Sequence, residues 1–264
     1  MTDQHAPHAP DARRCSFFFD VDGTLAELQP RPEQVFIPAS AIDALGQLQA
    51  AGVPVAVVSG RPIEQLDQLL SPLQLPAAGV HGAERRHIDG QTSLLNVDLE
   101  LMAQIRHELA DQCSRFPGLR LENKGIAFAL HYREAPELQP NASALAQEFA
   151  TRYEEALVLQ PGKCVYELKP RGASKGEAIS AFLEEPPFAG RLPVFIGDDL
   201  TDEAGFGVVN RLGGLSIKVG QGDTLANWRL DSVKDVHRWL AEVLTALFDP
   251  PPASHFLQES KGSP

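Results

Sequence analysis

Cysteine is scarce in this sequence. Three cysteines, Cys15, Cys113 and Cys164, occur among 264 residues, an odd number whose spacing matches no common metal-binding pattern. Thiols are used this sparsely in reducing compartments, where disulfides do not persist. The cysteines therefore indicate a reducing compartment and give no sign of a thiolate metal centre.

Long apolar runs and an excess of positive charge are also absent. No uninterrupted apolar run reaches the roughly 18 residues of a membrane-spanning helix, and residues 1–14 lack the apolar region of a signal peptide. The formal net charge of −12 disfavours nucleic acid and anionic membranes as partners, although a local cluster of Lys and Arg can still hold a small anion. We therefore expect a cytoplasmic monomer with no nucleic-acid or membrane partner.

What the sequence does contain is an alternation of apolar strands and amphipathic helices near both ends. The strands are almost wholly apolar, as expected when both faces of a parallel sheet are covered. This pattern predicts an α/β fold, a Rossmann-like, doubly wound parallel-sheet core with helices on both faces. The strands are predicted at 14–19, 53–58, 192–196 and 215–219.

The middle of the chain has a different organisation. Helices are predicted at 98–115 and 141–155, and the strand-like segments around them are joined by short turns such as Lys124-Gly125, which is typical of antiparallel hairpins. We therefore predict a discontinuous core interrupted by an α+β cap domain. The predicted division is a core at 15–97 and 173–248, a cap at 98–172, and flexible tails at 1–14 and 249–264.

Two carboxylates stand at the exit of the first predicted strand. The stretch FFFDVDGTL places Asp20 and Asp22 close together at the end of a buried strand. Mutual repulsion and desolvation make this arrangement unfavourable unless a cation compensates the two charges or a reaction needs them. Two other strands end at Ser59-Gly60-Arg61 and at Gly197-Asp198-Asp199, the latter followed by Asp202. Taken alone, each set is equally explained as polar residues entering solvent. Since ligands bind at the carboxyl ends of parallel strands, three such sets predict one site.

Together these sets resemble the four motifs of the haloacid dehalogenase superfamily of phosphotransferases. The stretch from Asp20 to Thr24 is the first motif, and Ser59, Lys175 and Gly197-Asp198-Asp199 with Asp202 follow in order. The resemblance implies a haloacid-dehalogenase-like core. It also accounts for the crowded carboxylates, since Mg²⁺ prefers an octahedral array of oxygen ligands. The expected Mg²⁺ ligands are the side chains of Asp20 and Asp198 and the backbone carbonyl of Asp22.

The first motif also suggests how a phosphoryl group is transferred. Asp20 can attack phosphorus in line and form an aspartyl-phosphate. Asp22, two residues further on, can protonate the leaving oxygen as general acid and then activate water as general base. The Thr24 hydroxyl is expected to steady the loop.

Lys175 lies in the first turn of a predicted helix, where a cation opposes the helix dipole at a cost of roughly 0.3–1 kcal/mol when exposed. A surface lysine that bears this small cost is one interpretation. The other is a lysine that neutralises a phosphate held at that helix end, and it is favoured because local rules fail most often at functional sites. Asp202 is expected to hold this lysine and metal-bound waters in place, and Asp199 is counted with it among the residues that support the site.

Strand parity in the middle segment separates an apolar sheet face from a polar one. Mixed charges on one face of a sheet are often only a solvated surface. Carboxylates and cations without aromatic platforms also suit a ligand rich in hydroxyl groups, namely a sugar, and this insert interrupts a phosphotransferase-like core. The polar face carries Glu122, Lys124, His131, Arg133, Glu167 and Lys169.

The chain from about 15 to 245 resembles the trehalose-6-phosphate phosphatases. The stretches that carry this resemblance are FFFDVDGTLAEL, VVSGR, GVHGAERR, LENKGIAFALHYR, YELKPRGASKG and IGDDLTDE. The resemblance implies hydrolysis of trehalose 6-phosphate to trehalose and phosphate, the last step of trehalose biosynthesis. It places glucose hydroxyls against Glu122, Lys124, Arg133 and Glu167.

Three further positions are also expected to bind the substrate. The same resemblance implies a place near the sugar for Arg61, next to Gly60, and counts His81 among the binding residues. His81 is equally well explained as a packed structural histidine.

Two other functions stay open on the sequence. The core motifs also fit a phosphatase or mutase that acts on another sugar phosphate, such as a sucrose or mannosyl phosphate. Only residues of the insert can distinguish between these substrates. A non-catalytic sugar-phosphate sensor is the alternative from another class. Retention of both Asp20 and Asp22 disfavours the sensor, because binding alone needs no nucleophile.

Overall fold

A computed structural model describes residues 6–249 of the chain. Within that range it contains twelve strands and seven α-helices. The strands are β1 (Cys15–Phe19), β2 (Val55–Val58), β3 (Ala77–Gly79), β4 (Glu84–Arg86), β5 (Thr92–Leu94), β6 (Arg120–Asn123), β7 (Phe128–His131), β8 (Leu157–Gly162), β9 (Val165–Pro170), β10 (Leu192–Gly197), β11 (Leu215–Val219) and β12 (Trp228–Leu230). The helices are α1 (Ala39–Ala50), α2 (Ile63–Leu70), α3 (Leu99–Cys113), α4 (Gln139–Arg152), α5 (Lys175–Leu183), α6 (Glu203–Arg211) and α7 (Val233–Phe248).

The larger sheet has eight strands in the order β12-β11-β10-β1-β2-β3-β4-β5. The pairs from β12 to β3 are parallel, whereas β4 and β5 run antiparallel at one edge. The predicted α/β fold with a mostly parallel sheet is confirmed. The antiparallel edge was not predicted, because β4 is mainly charged and β5 is exposed along its whole length.

Helices cover both faces of this sheet, as the doubly wound prediction requires. In β1, Phe17 and Phe19 pack into the apolar cluster formed with α1, α2 and α7, while Phe18 packs into the opposite cluster with α5 and α6. Successive side chains of a strand point to opposite faces, so three consecutive phenylalanines serve both cores. All three side chains are fully buried.

The smaller sheet lies within residues 98–172, a segment called the insert below. Its strand order is β6-β7-β9-β8, and every pairing is antiparallel. Phe128, Leu130 and Leu168 lie on one face and form a core with α3 and α4. The predicted apolar face is therefore present, which leaves the polar side chains of alternate residues on the other face. The division of the chain into two domains stays a prediction.

The N-terminal segment is packed where the structure describes it. Asp11 caps a 3-10 helix over Ala12–Arg14, and the indole N–H of Trp239 in α7 donates to the carbonyl of Pro7 at 2.9 Å. A buried indole needs an acceptor, and this one joins Pro7 to α7. The flexible tail over 1–14 stays a prediction. Residues 1–5 and the predicted tail from 250 onwards lie outside the described residues. Within 6–249, no helix combines the length and apolarity needed to cross a membrane.

Candidate active site

The carboxyl ends of three neighbouring parallel strands bring the predicted motifs together. Phe19, the last residue of β1, pairs with Ile196 of β10 and with Val57 of β2. The residues that follow these strands, among them Asp20 and Ser59, therefore meet at one edge of the sheet. The backbone N–H of Asp20 donates to the carbonyl of Ile196 at 2.9 Å, which extends the pairing by one residue.

Three carboxylates and one ammonium group form a buried cluster at this edge. Carboxylate oxygens of Asp20, Asp198 and Asp202 lie within 4.8 Å of one another. The Nζ atom of Lys175 is 3.0 Å from Asp20 Oδ1 and 2.7 Å from Asp202 Oδ1. Lys175 is 2% exposed and Asp202 is fully buried, so solvent screens these charges little. The cluster carries an excess of negative charge when its carboxylates are ionised.

The protonation behaviour of the cluster reflects this excess. Burial raises the pKa of Asp20 well above its ordinary value; the neighbouring carboxylates add to the shift and Lys175 opposes it. Burial, with repulsion from Asp202, raises the pKa of Asp198 to about 7. Burial alone would lower the pKa of Lys175, but Asp20 and Asp202 raise it overall. The cluster therefore favours any added positive charge.

The residues of the cluster fit a metal ion. They offer carboxylate oxygens, which hard divalent cations prefer. Gly23, whose φ is +78°, lies against them, and a Cβ atom at this position would lie 2.1 Å from Asp198 Oδ2. Glycine therefore allows the loop after β1 to approach the carboxylates closely. An acidic cluster able to hold a metal ion lies where the sequence predicted one.

Asp22 is held by an arginine that the sequence placed near the sugar. The Nε and Nη2 atoms of Arg61 donate to the two carboxylate oxygens of Asp22 at 2.6 and 2.7 Å. A bidentate pair of this kind fixes the carboxylate in orientation as well as position. Arg61 Nη1 also donates to Gln65 Oε1 at 3.2 Å, which anchors the arginine to α2.

Four more predicted residues lie in the core, and the structure shows what the side chain of each one contacts. Ser59 is buried, and its Oγ atom accepts from the N–H of Arg61 at 3.3 Å. Asp202 contacts Lys175 as predicted and also accepts from the N–H of Asp199 at 2.9 Å. The Asp199 side chain caps a 3-10 helix by accepting from the N–H of Leu200. The Thr24 hydroxyl has no hydrogen-bond partner among residues 6–249, so its predicted loop-steadying bond is not observed.

The polar face of the insert points towards these strand ends. Lys124 Nζ donates to Glu167 Oε1 at 2.5 Å and to the carbonyl of Gly60, in the core, at 3.0 Å. His131 Nε2 lies 2.7 Å from Glu122 Oε2. Burial would raise the pKa of Glu167, but Lys124 and His81 lower it well below its usual range. Both carboxylates of this face thus have a basic partner, while Arg133 donates to the backbone carbonyl of Lys163.

One cavity of about 380 Å³ joins the carboxylate cluster to this polar face. Thr24 and Asp202 are buried and do not line the cavity in the described chain. All other predicted site residues do. They are Asp20, Asp22, Ser59, Gly60, Arg61, His81, Glu122, Lys124, Arg133, Glu167, Lys175, Asp198 and Asp199.

Sequence reasoning missed several residues of the site. Lys218 in β11 donates from Nζ to the backbone carbonyl of Asp198 and is largely buried. A lysine inside the otherwise uncharged strand LSIKV was a readable signal, since buried lysines require a partner. Gln160 and Lys163, in the β8–β9 hairpin, also line the cavity, as does the loop over 28–32. Nothing in their local pattern marks these residues, because tertiary packing brings them to the cavity.

Comparison with known structures supports the fold. The structure of the C-terminal domain of C. albicans trehalose-6-phosphate phosphatase superposes with a TM-score of 0.81 at 22% sequence identity, covering 91% of this chain and 98% of that one. A crystal structure of a trehalose-6-phosphate phosphatase related protein gives a TM-score of 0.74 at 28% identity, covering 88% and 99%. At these identities the first match establishes the fold alone.

Comparison with known sequences identifies the family. The trehalose-phosphatase family model matches residues 18–234. The chain is 51% identical over 233 residues to trehalose-6-phosphate phosphatase of Escherichia coli (strain K12), covering 88% of this chain and 87% of that protein. It is 43% identical over 213 residues to a probable trehalose-phosphate phosphatase of Sinorhizobium fredii (strain NBRC 101917 / NGR234), covering 80% and 79%. This chain belongs to the trehalose-phosphatase family.

Proposed function

We propose that this protein is a Mg²⁺-dependent phosphatase that hydrolyses trehalose 6-phosphate to trehalose and inorganic phosphate. The observation that carries the proposal is the single cavity lined at one end by the carboxylate cluster and at the other by the polar face of the insert. A sugar phosphate has the same two-part chemistry, an anion beside a polyol. Relatives at 51% and 43% identity, whose names carry this activity, favour trehalose as the sugar.

Asp20 and Asp198 would hold Mg²⁺ with their side-chain oxygens, and Asp22 with its backbone carbonyl. When bound, Mg²⁺ neutralises phosphate charge and leaves phosphorus open to attack. The choice of Mg²⁺ rests on the donor set, which consists of oxygen atoms only. Lys175, 3.0 Å from Asp20, adds a fixed positive charge at the position where phosphoryl oxygens must lie.

Asp20 acts as the nucleophile. Its carboxylate oxygen forms a bond to phosphorus while the bond from phosphorus to sugar oxygen 6 breaks, which leaves an aspartyl-phosphate. Asp22 donates a proton to the departing oxygen and releases trehalose. Asp22 then takes a proton from water, the hydroxide attacks phosphorus, and the bond to Asp20 breaks to release inorganic phosphate. Arg61 orients the Asp22 carboxyl group through its bidentate contact.

The insert selects the sugar and acts as a cap over 98–172. Glu122, Lys124, Arg133 and Glu167 line the cavity and offer charged partners to sugar hydroxyls. Both carboxylates of this face have a basic partner, so the face has no surplus of negative charge and offers hydrogen-bond donors and acceptors to hydroxyl groups. That the enzyme works as a cytoplasmic monomer stays a prediction.

The test is phosphate release by the purified protein from a panel of substrates, with and without Mg²⁺. We expect trehalose 6-phosphate to give the highest kcat/KM, with a sucrose phosphate, a mannosyl phosphate and 4-nitrophenyl phosphate well below it. Preference for another sugar phosphate would overturn the substrate assignment and retain the phosphatase chemistry. Binding of trehalose 6-phosphate without turnover would instead establish a sensor.

A further inference from the structure

His81 lies in an unfavourable backbone conformation between β3 and β4. Its φ is +57°, and that of Val80 before it is +48°. Side chains with a Cβ atom rarely adopt such values, and a β-branched valine does so least readily. Strained backbone of this kind persists where surrounding contacts enforce it and is concentrated at functional sites. The strain at Val80 and His81 therefore raises the question of what the histidine ring contacts.

The ring makes a polar contact from the core to the insert. His81 Nε2 lies 2.7 Å from Glu167 Oε2, and the other oxygen of Glu167 accepts from Lys124. Lys124 returns to the core by donating to the carbonyl of Gly60. The four residues thus form a chain of three hydrogen bonds that leaves the core at His81, crosses two insert residues and re-enters the core at Gly60. This chain is called the bridge below.

The two core ends of the bridge are also in contact with each other. A Cβ atom at Gly60 would lie 2.8 Å from the Cε1 and Nε2 atoms of His81, so the ring packs on a position where only glycine fits. Gly60 stands between Ser59 and Arg61, both of which line the cavity beside the carboxylates. The bridge therefore links the sugar-binding pair of the insert to the segment that frames the phosphate chemistry.

The proton arrangement within the bridge follows from its charges. Glu167 is an acceptor, since Lys124 and His81 lower its pKa and keep it ionised. Burial lowers the pKa of His81, which keeps the ring neutral. A neutral ring beside a carboxylate must carry its proton on Nε2 and donate it to Glu167. The Nδ1 atom is buried and has no hydrogen-bond partner among residues 6–249.

A packing role alone does not explain why His81 has a strained backbone and an unpaired ring nitrogen. Structural histidines satisfy both ring nitrogens when buried, whereas His81 leaves one without a partner. Its backbone strain, its orphan nitrogen and the exclusion of a side chain at position 60 have one common result. That result is the placement of Nε2 against the Glu167 carboxylate.

We propose that His81 is a positioning residue, whose Nε2–H fixes the Glu167 carboxylate and through it Lys124, so that the sugar-binding pair stands at a set distance from the phosphate-binding carboxylates. This inference rests on the proposed function of the same cavity. It assigns His81 no contact with the reacting atoms. Replacing His81 should therefore change the KM for the sugar substrate, and this change should depend on the presence of Glu167.

Two amide variants test the contact between His81 and Glu167 because their side chains differ in length by one methylene group. The amide of Gln in His81→Gln extends to about the position of Nε2, whereas the amide of Asn in His81→Asn ends near Nδ1. Asparagine also tolerates a positive φ, so His81→Asn keeps the backbone conformation. A charge-assisted bond lost from the bridge predicts a KM for trehalose 6-phosphate about 10- to 150-fold higher in His81→Asn, with kcat changed less than about threefold. His81→Gln should stay within about threefold of wild type in both constants.

Two controls separate positioning from stability. Arg86→Met breaks a part-buried ion pair with Asp67 of α2, within the core, so it should lower the melting temperature and leave KM unchanged. Combining His81→Asn with Glu167→Gln tests whether the histidine acts through that carboxylate. If it does, His81→Asn should add less than about threefold to the KM of Glu167→Gln.

The outcomes distinguish this inference from the proposed function. A wild-type protein without activity on trehalose 6-phosphate would refute the function, whatever the variants do. With wild-type activity established, equal KM values for His81→Asn and His81→Gln would overturn the positioning role. So would an equal loss on 4-nitrophenyl phosphate, or full additivity with Glu167→Gln.

Discussion

The carboxylate cluster of the core and the polar face of the insert are both charged and partly buried, yet they balance charge differently. In the core, the carboxylates of Asp20, Asp198 and Asp202 lie around the ammonium group of Lys175, and Lys218 donates to the backbone carbonyl of Asp198. On the insert, each carboxylate has its own cationic or histidine partner, as Lys124 does for Glu167. The core set has a surplus of negative charge, and the insert set does not.

This difference shows what each region can bind. A surplus of buried negative charge is costly unless a cation compensates it, so the core is suited to a metal ion and its phosphate ligand. A face whose carboxylates each have a basic partner is suited to hydroxyl groups, which can replace parts of the existing hydrogen bonds at little electrostatic cost. The comparison predicts that changes in the core affect every substrate, while changes in the insert affect only the sugar phosphate.

The largest effect is expected for Asp20→Asn, which removes the proposed nucleophile with almost no change in shape. Turnover of trehalose 6-phosphate and of 4-nitrophenyl phosphate should both fall by at least about 10⁴-fold, as for other covalent catalysts that lose their nucleophile. Asp43→Asn, the same change at an exposed position of α1, is the matched control and should be inert. Substantial activity of Asp20→Asn on either substrate would exclude the aspartyl-phosphate route.

Metal removal should lower both the activity of the protein and its melting temperature, and the second effect can be measured without an activity assay. Chelation with EDTA should stop the hydrolysis of both substrates, and Mg²⁺ should restore it, whereas the larger Ca²⁺ should support it poorly. At about 100 times its dissociation constant, bound Mg²⁺ stabilises the fold by about 2.7 kcal/mol, or roughly 5–10 °C in melting temperature for a chain of this size. Asp198→Asn should lose most of this shift. A metal-independent melting temperature in the wild type would contradict the metal site.

The bridge between core and insert should make the protein less stable in acid. The pKa of His81 is lowered from 6.5, so below that pH the unfolded chain binds a proton that the folded chain does not. The pKa of Glu167 is lowered from 4.5, with the same consequence at lower pH. Wherever the unfolded state binds more protons, the free energy of unfolding falls as the pH falls. Denaturation curves between pH 7 and 4 should show this loss, and it should be smaller in the double variant His81→Asn, Glu167→Gln. An unchanged slope in that variant would remove the bridge as its cause.

The smallest effect is expected from an exposed ion pair between the core loop and the insert. Arg31 and Glu134 lie 2.9 Å apart, with side chains 55% and 61% exposed. Exposed pairs contribute only about 0.2–1 kcal/mol and are screened by salt, so Arg31→Ala should raise KM for trehalose 6-phosphate less than about fivefold at low salt. The effect should vanish at high salt and be reversed by the charge swap Arg31→Glu with Glu134→Arg. A larger, salt-resistant effect would indicate that Arg31 contacts the substrate itself.

The main strands of the core could be predicted because they are buried on both faces and end in unusual residues. Apolar runs such as Phe17–Phe19 reveal a central strand, but β4 and β5 are short, charged or exposed, and have no such pattern. Strand parity also separated the two faces of the insert sheet, since large apolar residues alternate with small or polar ones in β7, and Glu167 and Lys169 flank Leu168 in β9.

Contacts between distant loops could not be predicted in the same way. The pairing of Arg61 with Asp22 and of His81 with Glu167 depends on how loops approach in three dimensions. In the second case the approach requires positive φ angles at Val80 and His81, which no local sequence rule favours for these residues. The sequence therefore indicated which residues belong to the site more readily than which of them touch.

The most direct test of separate roles for core and insert is a ratio of two rate constants in the variant Lys124→Met. This change removes the ammonium group shared by Glu167 and Gly60 and keeps most of the side-chain volume. Lys234→Met, at an exposed position of α7, is its control. We predict that kcat/KM for trehalose 6-phosphate falls about 10- to 150-fold while that for 4-nitrophenyl phosphate changes less than about threefold. Equal losses on the two substrates would contradict the separation, and no loss on either would make the polar face of the insert a structural feature.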